Sequence, residues 1–391
     1  MAVCIHNGIL LNGISNEGLC AVLINDEGKI EDVFSEARFK QKSFPSSVQI
    51  YDAHKNYISP GLIDTHIHGF NGNGTDIATT EGILQMSEDL ARYGVTAFNP
   101  TMYPSDEEVM IDTIKKIVAA MGHEKGARIM GIHLEGPFIS PKKLGVQKAC
   151  TVKLPDVNLM QRLWEASQGH IVNMTVAPEL KGMRELALYC ISKGIILQAG
   201  HTDAEYKHMV EGIQVGILHV THFYNAMSQL HHRNPGATGA VLIHPEMSCE
   251  IIADGVHVHK DLFKLLQRDK SVEKIVLITD CLTPTEQKAK HLFANGEEVV
   301  MHGGCFHRKS DDVIAGSALT LIKAVKNTTE YGFPLSDAVR FATSNPARIM
   351  KYNDIGTIAP GYAADIIIFD KKYNVQTVFI KGKLVKQNIK E

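Results

Sequence analysis

The sequence of 391 residues lacks both a long hydrophobic run and a paired-cysteine pattern. It contains no stretch of about 18 apolar residues, so no transmembrane helix is expected. Its seven cysteines are scattered and none are spaced as C-x-x-C, which argues against a disulfide framework or a cysteine zinc site. The opening segment has no basic region followed by a long apolar run, so we expect no signal peptide. These absences together predict a cytoplasmic protein.

Charge of neither sign dominates. The chain has 40 basic and 43 acidic residues and a formal net charge of −3. This balance predicts neither a nucleic-acid partner nor a membrane partner. An anionic substrate would therefore have to be attracted by groups close to its binding site. Hydrophobic residues make up 44% of the chain and charged residues 21%, which is typical of a globular protein with a large core.

Histidine is the residue type that stands out. The chain has 19 histidines, and nine of them lie between residues 201 and 259. Histidine is the commonest metal ligand and is well suited to acid–base chemistry near neutral pH. The cluster therefore favours a metal site.

The two ends of the sequence predict β-strands. Residues 21–34 form two apolar runs around an Asp-Glu-Gly turn, which is a hairpin pattern. Residues 356–370 and 375–385 show the same pattern, with Pro-Gly and Lys-Gly turns. We expect residues 1–55 and 356–391 to pair into one small β domain.

Between the ends, short apolar runs alternate with longer amphipathic segments. A nearly continuous apolar strand suits a parallel sheet that is buried on both faces. Eight strand–helix repeats predict an α/β fold, a (β/α)8 TIM-like barrel over residues 56–355. The predicted strands are 61–66, 95–99, 129–135, 171–177, 195–200, 217–222, 249–254 and 275–280. The predicted helices are 81–93, 105–121, 182–193, 203–213, 260–267 and 317–331. Residues 282–316 contain further strand-like pieces and are expected to form an insertion after the eighth strand.

Side chains that commonly bind metals lie at the C-terminal ends of these predicted strands. In a barrel those ends converge on one face, and that face holds the active site. The set combines an H-x-H pair, a glutamate, two further histidines and an aspartate: His66, His68, Glu135, His201, His222 and Asp280.

Some of these residues can also be explained without a metal. His66 and His68 point the same way in an extended segment, but an isolated H-x-H pair can also be two unrelated histidines. A glutamate after an apolar strand, as at Glu135, is either a ligand or a buried carboxylate with a partner. We interpret His133 as structural or supporting, and His219 as a packed histidine.

Mixed imidazole and carboxylate ligands suit zinc, iron or manganese. A site with an open position lowers the pKa of a bound water towards neutrality. A nearby aspartate that is weakly bound or unbound can take the proton of that water and pass it to the leaving group. The residue set therefore indicates metal-assisted hydrolysis.

Several strings make the chain resemble the amidohydrolase superfamily, and within it the N-acetylglucosamine-6-phosphate deacetylases. The resemblance covers nearly the whole chain, and two of its strings, HLEGPF and THFYNAM, are highly specific to the family. The matching segments are PGLIDTHIHG (60–69), HLEGPFISP (133–141), AGHT (199–202), THFYNAM (221–227), IIADGVHV (251–258), ITD (278–280), AGSALT (315–320), NPA (345–347) and GTIAPGYAADIIIFD (356–370).

The resemblance implies a (β/α)8 barrel with a small β-sandwich built from both termini. It also implies hydrolysis of N-acetylglucosamine 6-phosphate to acetate and glucosamine 6-phosphate. The primary metal would be held by Glu135, His201 and His222, and Asp280 would be general base and acid. Some members hold a second metal at positions matching His66 and His68. The implied cofactor is one or two divalent ions per subunit, either Zn, Fe, Mn or Co.

The resemblance also implies contacts with the substrate. Asn225 and the backbone at Ala226 would meet the sugar phosphate, and His257 would meet the phosphate or the sugar hydroxyls. The backbone from Ile314 through Ala315 to Ser317 would lie near the N-acetyl group and the metal.

Arg233 matches an arginine that reaches the phosphate across the interface of a homodimer. A guanidinium fork pairs well with a dianion. Without the resemblance, Arg233 would be interpreted as a solvated loop residue.

The chain departs from the family at Gln147, where many members have histidine. Glutamine can donate a hydrogen bond to the sugar or phosphate but cannot carry charge. We expect weaker or altered contacts there and intact chemistry. Cys150 and Cys281 lie close to functional segments, and we interpret both as packed or incidental thiols.

Three other functions are consistent with parts of the pattern. The chain could deacetylate N-acetylgalactosamine 6-phosphate, because the two sugars differ at one hydroxyl. A dihydroorotase-like enzyme would carry a modified lysine where the third strand ends in Glu135, which disfavours that alternative. A non-catalytic scaffold would lack the ligands, which are all present here.

Overall fold

The computed structural model describes residues 2–387. Residue 1 and residues 388–391, which belong to the predicted terminal domain, lie outside the described residues. Among the described residues, no helix combines the length and apolarity needed to cross a membrane.

The N-terminal segment forms five strands and one short helix. The strands are β1 (Val3–Leu11), β2 (Asn16–Ile24), β3 (Ile30–Ser35), β4 (Gln49–Asp52) and β5 (Tyr57–Pro60). The helix is α1 (Glu36–Phe39).

The central segment holds eleven strands, nine of which hydrogen-bond in one sheet. They are β6 (Leu62–Ile67), β7 (Gly69–Phe70), β8 (Asn73–Gly74), β9 (Val95–Met102), β10 (Arg128–Ile129), β11 (Ile132–Glu135), β12 (Ile171–Val176), β13 (Ile196–Ala199), β14 (His219–Val220), β15 (Ser248–Ile252) and β16 (Ile275–Ile278). Only β7 and β8 stand apart, as a two-stranded ribbon.

The helices that follow these strands are mostly amphipathic. They are α2 (Thr80–Arg92), α3 (Glu107–Ala120), α4 (Val157–Ala166), α5 (Met183–Ser192), α6 (Tyr206–Gln214), α7 (Gly236–Ile243), α8 (Phe263–Asp269), α9 (Leu321–Glu330), α10 (Leu335–Phe341) and α11 (Ser344–Ile349).

The remaining strands lie in an insertion and at the C-terminal end. The insertion forms a four-stranded antiparallel sheet of β17 (Leu292–Ala294), β18 (Glu297–His302), β19 (Cys305–Arg308) and β20 (Ile314–Ser317). The C-terminal strands are β21 (Ile366–Phe369), β22 (Val375–Ile380) and β23 (Lys383–Gln387).

The two ends of the chain meet in one eight-stranded sheet, as the terminal patterns predicted. Its order is β23-β22-β21-β5-β1-β2-β3, with β4 paired to β1. The predicted hairpin is present as β2 and β3, which pair antiparallel. Because β21 pairs with β5, the C-terminal strands join the N-terminal ones directly. The exact limits of the domains, at residues 55 and 356, stay predictions.

The central strands form a parallel barrel that is nearly closed, which confirms the predicted fold. Eight strand positions are present, with β10 and β11 together making the third. The barrel closes where β16 returns to β6: the amide of Asp280 donates to the carbonyl of His66 at 2.9 Å. Strands β6, β9, β15 and β16 are buried along their whole length, as expected for a sheet covered on both faces.

All eight predicted strands and all six predicted helices are found with shifts of a few residues at their ends. Helices α1, α4, α7, α10 and α11 were not predicted. The insertion that was expected within residues 282–316 is present as the four-stranded sheet.

Candidate active site and its metal centre

Six predicted ligand and acid–base residues converge at the C-terminal end of the barrel. His66 lies within β6, and Glu135 is the last residue of β11. His201, His222 and Asp280 each follow their strand by two residues, after β13, β14 and β16. His68 follows β6 directly, and all six side chains are buried.

The first group consists of Glu135, His201 and His222, the three residues that the resemblance predicts as ligands of the primary metal. Glu135 Oε1 lies 3.1 Å from Nε2 of His201 and 3.1 Å from Nε2 of His222. The two Nε2 atoms are themselves 3.1 Å apart. Three donor atoms therefore face one common point.

The second group consists of His66, His68 and Asp280. Asp280 Oδ1 lies 3.4 Å from Nε2 of each histidine. Glu135 stands between the two groups, because its Oε1 is 3.5 Å from His66 Nε2 and its Oε2 is 3.3 Å from His68 Nε2. The arrangement places one carboxylate where two neighbouring ions could share it.

The chain is held in an unusual backbone conformation at three of these residues. The φ angles of His201, His222 and Asp280 are +46°, +26° and +50°. Residues other than glycine rarely adopt this left-handed region, and such residues cluster at functional sites. Here the conformation turns each side chain inwards just after its strand ends.

Hydrogen bonds fix which nitrogen of two imidazoles faces the centre. His68 Nδ1 lies 3.0 Å from the carbonyl of Thr101, and His201 Nδ1 lies 2.8 Å from the carbonyl of Lys143. A carbonyl only accepts, so each Nδ1 carries a hydrogen, and in the neutral ring each Nε2 presents a lone pair to the centre. This is the form in which histidine binds a metal.

The two groups fit divalent cations. Each supplies three donor atoms that all lie within 4.8 Å of one another. His66 Nε2 is buried and has no hydrogen-bond partner among residues 2–387, and an unpaired buried nitrogen is costly unless a ligand satisfies it. Mixed imidazole and carboxylate donors suit zinc, iron or manganese.

The carboxylates of the centre are ionised. Burial opposes the ionisation of Glu135, but the neighbouring histidines, His201 foremost, outweigh burial when they are protonated and hold the pKa of Glu135 well below its usual value. For Asp280, burial likewise opposes ionisation, and His66 and His68 nevertheless lower its pKa. Both groups are thus available as anionic ligands or as a base.

A cavity of about 400 Å³ opens onto this centre. Six of the eight predicted substrate contacts line its walls: Gln147, Asn225, Ala226, His257, Ile314 and Ala315. The cavity is large enough for a monosaccharide phosphate, and its floor is the metal centre.

The two other predicted contacts lie elsewhere. Ser317 is buried behind the wall, where its amide donates to the carbonyl of Asp280 at 2.9 Å. Arg233 lies in an exposed loop outside the cavity, and its guanidinium contacts the neighbouring His232 at 2.9 Å. Within one chain, therefore, Arg233 does not reach the site.

Gln147 contacts the metal centre itself. Its side-chain amide donates to Glu135 Oε2 at 2.7 Å, and the residue is buried. The glutamine therefore orients the glutamate that joins the two groups, in addition to lining the cavity.

His257 is held by a carboxylate. Its Nδ1 lies 2.6 Å from Asp254 Oδ2, and its side chain is only 5% exposed. Burial lowers the pKa of His257, but the hydrogen bond to Asp254 outweighs burial and raises the pKa above 6.5. The imidazole is thus disposed to carry positive charge in the cavity wall.

Sequence reasoning missed two residues of the site. Tyr103 stacks on His68 with ring centroids 3.8 Å apart and lines the cavity. Glu250 is wholly buried in β15, and its Oε2 lies 3.1 Å from His66 Nδ1. A charged residue within the apolar run SCEII was a signal that could have identified Glu250.

His133 and His219, which were not predicted as ligands, are packed in the barrel. Both ring nitrogens of His133 contact threonine hydroxyls: Nδ1 lies 3.1 Å from that of Thr101, and Nε2 lies 2.9 Å from that of Thr175. His219 Nδ1 lies 2.8 Å from the hydroxyl of Ser248. Cys281 is buried and Cys150 is exposed, and both are free thiols.

Comparisons with known proteins agree with this site. The amidohydrolase family profile matches residues 57–385. The chain is similar to an N-acetylglucosamine-6-phosphate deacetylase of Bacillus subtilis, with 32% identity over 98% of this chain and 95% of the relative. It is also similar to an N-acetylgalactosamine-6-phosphate deacetylase of Escherichia coli O157:H7, with 30% identity over 87% of this chain and 90% of the relative.

A solved structure shares the whole fold. It is a variant N-acetyl-D-glucosamine-6-phosphate deacetylase from Mycobacterium smegmatis in complex with N-acetyl-D-glucosamine-6-phosphate. The TM-score is 0.90 at 25% identity, over 98% of this chain and 99% of that one. With the barrel, the centre and a family match over most of its length in agreement, the chain belongs to the amidohydrolase family.

Proposed function

We propose that this chain hydrolyses the acetamide of N-acetylglucosamine 6-phosphate, giving acetate and glucosamine 6-phosphate. The observation that carries the proposal is the pair of ligand groups joined by Glu135, at the floor of a cavity that His257 and Asn225 also line. The similarity to deacetylases of this substrate extends over nearly the whole chain. A non-catalytic scaffold is disfavoured because every expected ligand is present.

Glu135, His201 and His222 are the residues that would hold the primary ion. His66, His68 and Asp280 would hold a second. A divalent cation bound there, Zn, Fe, Mn or Co, polarises the acetyl carbonyl and makes an attacking water more acidic.

Asp280 is the acid–base residue of this proposal. It is ionised and its Oδ1 faces the ligand groups, so it can accept the proton of the attacking water. After the carbon–nitrogen bond breaks, the same carboxyl group donates that proton to the departing amine. His66 and His68 would act on the charge that develops on the acetyl oxygen only through the second ion that they would hold.

We assign the phosphate end of the substrate to the part of the cavity lined by His257, Asn225 and Ala226. His257 would supply charge, and Asn225 and the backbone at Ala226 would supply polar groups. Ile314 and Ala315 would pack near the acetyl group. Gln147, where the resemblance leads us to expect histidine, should alter contacts there without removing the chemistry.

Arg233 would complete the phosphate site from the second subunit of a homodimer. Its exposure outside the cavity of its own chain supports this assignment. Mixing Arg233→Met and Asp280→Asn subunits tests it, because each mixed dimer would have one intact site. We expect recovery of about a quarter of wild-type activity in a random mixture of subunits. A mixture as inactive as its components would contradict an action in trans.

We also place the enzyme in the cytoplasm, where the seven free thiols would stay reduced. This compartment suits a phosphorylated small-molecule substrate. Fractionation of the native cells tests it.

The deciding experiment measures acetate release from N-acetylglucosamine 6-phosphate, before and after chelation and metal restoration. Release that chelation removes and metal restores would support the substrate and the site together. The N-acetylgalactosamine 6-phosphate isomer is run in parallel, because relatives at similar identity act on it. A faster reaction with the isomer would assign the chain to that substrate, and no release from either would reject the proposed reaction.

A further inference from the structure

Glu250 is a charged residue inside the barrel that the proposed reaction does not use. It lies in the middle of β15 with no exposed surface. A carboxylate in such a place needs hydrogen-bond donors to offset the loss of water. Hydrogen-bond donors contact both carboxylate oxygens of Glu250, and one of these donors is His66 of the metal centre.

Four uncharged polar side chains lead to Glu250 through the barrel interior. Tyr352 donates to Asn99 Oδ1 at 2.7 Å, and Asn99 donates to Asn173 Oδ1 at 3.2 Å. Asn173 then donates to Gln198 Oε1 at 2.5 Å, and Gln198 donates to Glu250 Oε1 at 2.9 Å. Every donor in the series points towards Glu250, so the carboxylate is the acceptor that ends it.

The second oxygen of Glu250 serves the metal centre. Oε2 lies 3.1 Å from His66 Nδ1 and accepts from the backbone amide of His222 at 3.3 Å. Because a carboxylate only accepts, His66 must carry its hydrogen on Nδ1. In the neutral ring, which is the form that binds a metal, the lone pair is then on Nε2, and this atom lies 3.4 Å from Asp280 and 3.5 Å from Glu135.

We propose that Glu250, supported by Gln198, Asn173 and Asn99, is a positioning residue that fixes the tautomer of His66 and so determines the affinity of the second ion. The inference rests on the proposed function, because it assumes that His66, His68 and Asp280 hold that ion. His68 and His201 have their tautomers fixed by backbone carbonyls, whereas His66 depends on this one side chain.

The substitution Glu250→Gln tests the proposal because an amide has a single acceptor oxygen. In the wild type, Gln198 and His66 donate to different oxygens of Glu250. After the substitution, one of these two residues would face an NH2 group. If that residue is His66, its hydrogen moves to Nε2 and the lone pair towards the ion is lost. We expect second-ion affinity to fall about 10- to 100-fold, with the first ion retained.

The double variant Glu250→Gln with Gln198→Glu supplies the rescue. The substituted amide then donates to the carboxylate at position 198 and accepts from His66, while Asn173 still donates to position 198. Charge and hydrogen-bond direction are both restored, so second-ion affinity should return towards the wild-type value. Asp365→Asn is the matched control, because it neutralises another buried carboxylate, whose partners are Arg128 and the amide of Lys381, and should leave both ions bound.

Metal content per chain by mass spectrometry, titrated against a chelator, is the primary measurement. Nitrogen NMR of the His66 imidazole, assigned with His66→Asn, reports the tautomer without using activity. Loss of the second ion together with a tautomer change, both reversed in the double variant, would support the proposal. Two retained ions in a Glu250→Gln protein whose His66 hydrogen has moved to Nε2, or a failed rescue in a folded double variant, would overturn it.

The failure of this inference is distinguishable from that of the proposed function. Wild-type protein that binds one ion at saturating metal and still releases acetate would overturn the role of Glu250 and leave the deacetylase intact. Protein that binds two ions in the predicted way but releases no acetate would do the reverse.

Discussion

At the scale of single residues, Asp280 carries the most direct prediction about the reaction. Asp280→Asn keeps the size of the side chain and removes the base, so turnover should fall by about 10²- to 10⁴-fold. The ion at Glu135, His201 and His222 should remain, because none of these ligands depends on Asp280 for its contacts with the others. Acetate release and metal content are measured on the same sample.

The two measurements separate a chemical effect from a structural one. Loss of both activity and the primary ion would show that Asp280 holds the centre together. A fully active Asp280→Asn protein would remove the aspartate from the mechanism.

The raised pKa of His257 predicts that substrate binding depends on pH. The hydrogen bond to Asp254 outweighs burial and places the pKa of His257 above 6.5, so the protonated form extends to higher pH than usual. The charge on His257 favours the phosphate dianion, and it is lost as pH rises through this raised pKa. KM should therefore increase as pH rises through this raised pKa, and in His257→Gln that increase should be absent.

A substrate phosphate does not account for such a rise, because its second pKa is about 6 and it is already a dianion there. The same KM profile in wild type and His257→Gln would assign the titration to another group. His257 also contributes stability below its unfolded-state pKa, and this contribution is lost as pH rises through the folded-state value.

The sequence predicted the ligands better than the residues that orient them. Glu135 and His201 were found because each follows an apolar strand, which a local pattern reveals. Glu250 and Tyr103 act through neighbours that are far away in the sequence: His66 is 184 residues from Glu250. No single segment shows such a contact, so their roles appear only when the barrel brings the strands together.

At the scale of elements, Lys270 ties two helices together. The ammonium group of Lys270, at the end of α8, donates to the carbonyls of Val241 at 2.7 Å and His244 at 2.9 Å, at the end of α7. Helix C-termini leave carbonyls unpaired, and a buried cation there satisfies them. Lys270→Met should lower the free energy of unfolding by about 1–3 kcal/mol, measured by urea denaturation.

Lys264→Met on the same helix is the matched control. Lys264 is exposed and pairs with Asp261, so its loss should change the free energy of unfolding by less than about 0.5 kcal/mol. Equal effects of the two substitutions would show that the buried hydrogen bonds of Lys270 add nothing specific.

The elements found from the sequence are those with a strong local pattern. Strands such as β16 are continuous apolar runs, and helices such as α2 have a clear apolar face. Helix α7 was missed because its sequence, GATGAVLI, is small and almost wholly apolar, and six of its eight residues are buried. Burial of that kind comes from neighbouring elements and leaves no amphipathic pattern.

At the scale of the whole molecule, the terminal sheet and the barrel share an ion pair whose carboxylate is buried. Arg128 begins β10 of the barrel, and Asp365 directly precedes β21 of the sheet. Asp365 also accepts from the amide of Lys381, and its own carbonyl accepts from the amide of Gly61, where the chain enters the barrel. The pair therefore lies where both ends of the chain meet the barrel, which neither terminal pattern alone could predict.

Arg128→Met should destabilise the two parts together, because it leaves Asp365 buried without its cation. Loss of one partner of a buried pair costs about 3–5 kcal/mol. Burial already raises the pKa of Asp365, and Arg128 opposes that rise, so the orphaned carboxyl group can escape part of the cost by binding a proton. The loss of stability should consequently be larger at pH 8 than at pH 5.

Two optical probes decide whether the sheet and the barrel unfold as one unit. Trp164, the single tryptophan, lies in α4 of the barrel, whereas far-UV circular dichroism reports both parts. Both midpoints should fall together in Arg128→Met and stay unchanged in Arg268→Met, which removes an exposed pair with Asp269. A circular dichroism transition that moves to lower denaturant while Trp164 fluorescence does not would mean that the sheet unfolds independently. Coincident shifts would instead mean that the catalytic barrel depends on both chain ends for its stability.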